Sequence, residues 1–137
     1  MTSLLGKRSS MVLFHNEIGH QSHKVRIVLS EKGITADLEP LDPENLPKEI
    51  LEVNPKGFLP LLIDRELALY KSQLIVEYLD ERFPHPPLLP VYPVARAQTR
   101  LILHRVEEEW TYHVDILEDT TSSTAKKNSS RKELRKN

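Results

Sequence analysis

Leu59-Pro60-Leu61-Leu62-Ile63-Asp64-Arg65-Glu66-Leu67-Ala68-Leu69-Tyr70-Lys71-Ser72 holds two short apolar runs, 59–63 and 67–70, around the polar Asp64-Arg65-Glu66. Runs this short, split by a polar break, predict a β-hairpin. Pro60 fits at the start of a strand, where no ladder donor is lost. Ser72 is expected to N-cap the helix that follows, since its hydroxyl can accept from a free first-turn amide. Leu74, Ile75, Tyr78, Leu79 and Phe83 then share one helical face.

Working towards the N-terminus, Pro47 opens a short helix through Val53 that Asn54-Pro55 closes, after a loop over 43–47. Ala36-Asp37-Leu38-Glu39 alternates with period two and reads as a strand near an edge. Ser22 is expected to N-cap a helix with Val25, Ile27, Val28 and Leu29 crowded on one side, and Gly33 to end it. Met11-Val12-Leu13-Phe14 suits a strand buried on both faces. The order β-α-β-α-β-β-α predicts an α/β domain with one parallel strand pair and an added antiparallel hairpin.

Towards the C-terminus, five of the ten prolines fall in Pro84-His85-Pro86-Pro87-Leu88-Leu89-Pro90-Val91-Tyr92-Pro93. Each fixes φ and lacks an N–H, so the preceding helix stops at Phe83 and a new one begins near Pro93. The segment reads either as a stiff interdomain linker or as a preorganised docking surface that loses little entropy on binding. Beyond it, Ala95, Ile102, Val106, Trp110, Val114 and Leu117 approximate an apolar stripe on a helix running to about Asp119. From Thr120 the chain carries six Lys/Arg against Glu133 alone, leaving 13 basic and 19 acidic residues in the remainder. This Ser/Thr/Lys-rich stretch reads as a solvated tail with too few apolar residues to cover the stripe. The expected boundaries are a domain over 9–84, a linker over 85–93, and the start of a truncated helical domain over 94–137.

The 137 residues include no cysteine, which excludes disulfides, thiolate metal sites and cysteine nucleophiles. An acidic body argues against direct sequence-specific nucleic-acid binding. No apolar run has transmembrane length and Met1–Ser10 lacks a signal-like core, so a cytoplasmic location with no membrane partner is expected. Four glycines without a phosphate-loop spacing speak against a nucleotide cradle. The remaining nucleophile or base candidates are Ser22, His15, His20 and His23. His20 and His23 are three residues apart but have no evident third ligand, so neither a metal nor a cofactor is expected.

The element order, with Leu59-Pro60 at the third strand, resembles the thioredoxin-like domain of the glutathione transferase superfamily. The resemblance implies a cis Leu59–Pro60 bond and a Leu59 backbone facing the tripeptide's cysteinyl unit. It also implies a role for Ser22 or a neighbour as the catalytic hydroxyl. The superfamily's acidic-residue–serine pair maps onto Lys71-Ser72, and Lys71 reverses the charge that would face an ammonium group. Ser22, Leu59, Pro60, Lys71 and Ser72 are therefore expected to form a vestigial glutathione site.

Ser22-His23-Lys24-Val25-Arg26-Ile27-Val28-Leu29-Ser30-Glu31-Lys32-Gly33 and Tyr78-Leu79-Asp80-Glu81-Arg82-Phe83-Pro84-His85-Pro86-Pro87-Leu88, with Pro90-Val91-Tyr92-Pro93-Val94-Ala95-Arg96, more specifically resemble the stringent starvation protein A family. That resemblance implies a homodimeric transcription regulator without transferase activity. Its partner would be RNA polymerase holoenzyme carrying the housekeeping sigma factor, docked through Pro84, His85, Pro86, Pro87 and Tyr92. The alternatives are a glutathione-dependent transferase and a non-enzymatic scaffold for another partner.

Overall fold

A computed structural model describes residues 11–136, so the expected domain start at residue 9 lies outside the described residues. The chain divides into two compact units that meet between Pro86 and Pro87.

The first unit follows the expected order. It contains β1 (Met11–His15), α1 (His20–Glu31), β2 (Asp37–Pro40), α2 (Lys48–Val53), β3 (Leu61–Asp64), β4 (Leu67–Tyr70) and α3 (Ser72–Arg82). The strands lie in the order β2-β1-β3-β4. β1 runs parallel to β2, while β3 is antiparallel to both β1 and β4. β1 and β3 are central and buried at every position, which is why their sequences are continuous apolar runs rather than alternating ones. The hairpin turn is tighter than the three polar residues suggest, because Asp64 pairs with Leu67 and only Arg65-Glu66 lie between. Arg65 takes a left-handed φ of 57° there.

Period-two side chains split the core into two layers. Met11, Leu13 and Leu62 pack with Val25, Val28 and Leu29 of α1 and Ile75 and Leu79 of α3. On the opposite face, Val12, Phe14, Leu61 and Ile63 pack with Ile50 of α2. Burying each such side chain stabilises the unit by about 1.5–3 kcal/mol.

Gly33 ends α1 as expected, at a left-handed φ of 63°. The Gly33 N–H reaches Ser30 O at 3.1 Å and Ile34 N–H reaches Leu29 O at 2.9 Å. This paired closure satisfies two terminal carbonyls and makes Lys32 the C-cap.

Both expected serine caps are corrected. α1 starts at His20 behind Gly19, and α3 starts at Ser72 behind Lys71; neither cap makes a side-chain hydrogen bond. Ser22 and Ser72 are helical residues, both buried.

The second unit contains α4 (Pro93–Val106), a π-helical turn (Glu107–Thr111), α5 (Tyr112–Glu118) and α6 (Thr124–Lys136). Pro93 occupies the first turn of α4, where its missing N–H costs nothing. The expected apolar stripe is left partly uncovered, as the lack of apolar chain to cover it predicts. Ile102 is 63% exposed and Trp110 47% exposed, while Ile116, outside the stripe, is buried. A π turn adds a residue to the helical repeat, so a 3.6-residue period drawn across 107–111 loses phase. The expected solvated tail is likewise corrected, since residues 124–136 form a helix packed on α5. Ser130 is buried there, with its Oγ 3.0 Å from His113 Nδ1.

Candidate functional site

The glutathione-type positions converge at one end of the sheet. The Leu59–Pro60 bond is cis, and Pro60 is fully buried just before β3. Asn54, also fully buried, holds the approach to it: Nδ2 donates to Phe58 O at 2.6 Å, and Oδ1 accepts from Phe58 N–H at 3.3 Å. Gly57 takes a φ of 67° in this loop, where a Cβ would stand 2.9 Å from Leu46 Cδ1. A side chain is thus strained by the backbone conformation, while the Leu46 methyl is the tip of a flexible side chain that can shift.

Lys71 links β4 to α3 with a φ of 77°. Its Nζ lies 3.9 Å from the centroid of the Phe58 ring, a cation–π contact beside the first turn of α3. The Ser72 hydroxyl donates to Gln21 Oε1 and is buried. It is therefore committed within the protein, although its sequence position suits an anion at the helix start.

Ser22 is only 1% exposed, and its Oγ accepts the Asn16 N–H at 3.0 Å. This bond closes the β1–α1 loop and draws the hydroxyl inward, the reverse of what a nucleophile needs. His15 is buried at the end of β1, where its Nδ1 accepts from Arg26 Nη1 at 2.9 Å. Burial, followed by the Arg26 charge, lowers its pKa below the usual 6.5 against the opposing pull of Glu17 and Glu39. Arg26 also donates to Asn16 O at 2.9 Å and Glu17 O at 3.3 Å, so His15 belongs to the scaffold of that loop. His20 and His23 both lie in the first turn of α1, His20 half-buried and His23 exposed.

The proline segment has a different character. Pro84, His85 and Pro86 are exposed, and the His85–Pro86 bond is cis. Beneath them, Lys32 Nζ donates to Phe83 O at 2.5 Å and Pro86 O at 2.7 Å and pairs with Asp80 Oδ1 at 2.8 Å. Pro87 and Tyr92 open the second unit; both are exposed, Tyr92 to 80%.

The family model of the glutathione S-transferase N-terminal domain matches residues 13–87. The chain belongs to this family.

Within it, the expected likeness to stringent starvation protein A holds. A homolog of that protein from Pasteurella multocida is 53% identical over 110 residues, covering 80% of this chain and 52% of that relative. One from Haemophilus ducreyi is 49% identical over 128 residues, covering 93% and 60%. The chain thus spans between about half and three fifths of the length of these two relatives. Glutathione transferase Omega 3C from Trametes versicolor superposes with a TM-score of 0.79 at 24% identity, covering 98% of this chain and 58% of that one. A Tau class transferase from Mangifera indica gives 0.75 at 22%, covering 94% and 59%. These two likenesses establish the transferase fold.

In this transferase-fold chain, sequence reasoning missed Lys32, Gln21 and Asn54. Asn54 was legible only as a helix stop, and Gln21 carried no signal. Lys32 lay inside a quoted motif, but its burial depends on acceptors 48 to 54 positions away.

Proposed function

We propose that this chain is a non-enzymatic transferase-fold module that regulates transcription in the cytoplasm by docking RNA polymerase holoenzyme with its housekeeping sigma factor. The observation that carries the reading is the extensive identity to stringent starvation protein A homologs. A 110-residue match within 137 residues necessarily includes residues 28–110, and with them the proline segment. Pro84, His85 and Pro86 are the docking surface, joined by Pro87 and Tyr92, and the assembly is a homodimer. Rigid prolines and an aromatic ring suit anchor positions because they bury area with few rotors to freeze.

The absence of transferase activity is part of the same proposal. It is supported by the inward Ser22 hydroxyl, the Ser72 hydroxyl committed to Gln21, and the Lys71 ammonium on Phe58. Capture of purified polymerase holoenzyme by the immobilised chain, compared with the Pro84→Ala, His85→Ala, Pro86→Ala variant, tests the docking assignment. Capture by the wild type and its loss in the folded triple variant are expected. Equal capture by both would overturn the assignment.

A further inference from the structure

Lys32 is a lysine whose side chain has no exposed surface. A buried ammonium is tolerated only when paired and fully hydrogen-bonded. It has three N–H groups, and three acceptors meet them: Asp80 Oδ1, Phe83 O and Pro86 O. Two of these are not side chains of a conventional ion pair but main-chain carbonyls on either side of Pro84-His85. Phe83 is the C-cap of α3, and its own N–H already serves Leu79 O at 2.9 Å. Terminal helix carbonyls such as this lack an intrahelical donor and need one from elsewhere. The segment that follows cannot readily supply one, because Pro84, Pro86 and Pro87 carry no N–H.

The donor instead arrives from the far end of α1. The paired closure at Gly33 fixes the Lys32 backbone, and Asp80 on α3 fixes its ammonium. One cation thereby holds the carbonyls before and after His85, leaving the imidazole and the flanking prolines outward and exposed.

We propose that Lys32 is the positioning residue of the Pro84–His85–Pro86 docking surface. Its buried ammonium sets the backbone that presents His85, while Lys32 itself never touches the partner. The importance of this presentation for binding rests on the docking reading above; the control of the His85 backbone by Lys32 does not.

Lys32→Met alone leaves Asp80 buried opposite an apolar group and endangers the fold. The decisive variant is therefore Lys32→Met with Asp80→Leu, which removes both charges and leaves the two carbonyls without their donor. Two measurements are made on the 137-residue chain and this double variant: polymerase capture, and amide hydrogen exchange at Phe83 with imidazole NMR shifts at His85. Thermal melting records folding. The folded double variant is expected to lose about tenfold or more in capture. Its Phe83 amide, which donates to Leu79 O at 2.9 Å, should exchange about tenfold faster, and its His85 imidazole resonances should move. A purely structural role for Lys32 predicts capture falling only with the fraction unfolded. Unchanged Phe83 exchange and His85 shifts, or wild-type capture by the folded variant, would overturn the positioning role. If the wild-type chain itself fails to capture polymerase, the docking reading falls, and the Phe83 exchange and His85 shifts alone decide what Lys32 positions.

Discussion

The Lys71 ammonium stands over the Phe58 ring, 3.9 Å from its centroid, at the junction of β4 and α3. A cation–π contact of this kind gives the Lys71 charge a partner within the protein. Together with the committed Ser72 hydroxyl, it predicts no tight glutathione binding and no conjugation. Isothermal calorimetry checks this. Micromolar affinity, weakened by Ser72→Ala, would restore the enzyme reading.

Replacing Pro84, His85 and Pro86 together by alanine is expected to leave the fold nearly intact. The three side chains are exposed, so the change acts mainly on chain entropy and costs about 1 kcal/mol. Loss of a central docking surface costs several times as much in binding. Melts and polymerase capture on the same variant separate the two effects, and a large stability loss would assign the segment to the scaffold instead.

Asn54→Ala should be among the more damaging single substitutions. It strands the Phe58 N–H and carbonyl and opens a small void where Asn54 is fully buried. A loss of about 2–4 kcal/mol in denaturant unfolding is expected. A loss below about 0.5 kcal/mol would show that the Phe58 loop is held by other contacts.

Stability should fall on acidification through the His15 range. Its folded pKa is lowered, chiefly by burial, so the unfolded chain takes up the proton first. The contribution is fully present above the ordinary 6.5 and is lost as pH falls from there through the lowered folded value. His15→Gln, which retains an acceptor for Arg26, should flatten this leg of the melting profile. An identical profile in the variant would remove His15 as its source.

The second unit offers a direct contrast between tail and helix. Buried Ser130 and its contact with His113 predict amides in the second half of α6 that exchange about tenfold or more slowly than in a free chain. Ser130→Glu should abolish that protection by placing a carboxylate in the contact. Random-coil exchange in the unmodified chain would detach α6 from α5.

The strand and helix order of the first unit was readable because Met11–Phe14 and Leu61–Ile63 are continuous apolar runs and α3 repeats with the helical period. The cap positions were misread because side-chain caps advertise themselves in sequence, whereas Gly19 and Lys71 cap through backbone geometry alone. α6 was misread as a solvated tail for a related reason. Its Ser/Lys-rich sequence has little intrinsic tendency to bury a face, and its packing on α5 supplies what local propensity does not.

By itself, the sequence determined the α/β order and the break that the prolines place between two helices, because each is written in local pattern or residue type, while the reversed charge at Lys71 is implied by the family resemblance. Only the tertiary structure decided that Ser22 points inward, that Lys71 meets Phe58, and that a fully buried Lys32 grips the carbonyls around His85. Those outcomes depend on groups as far as 54 residues apart meeting within hydrogen-bond distance. No local periodicity encodes such a meeting; it is fixed when α1 and α3 pack on the same face of the sheet.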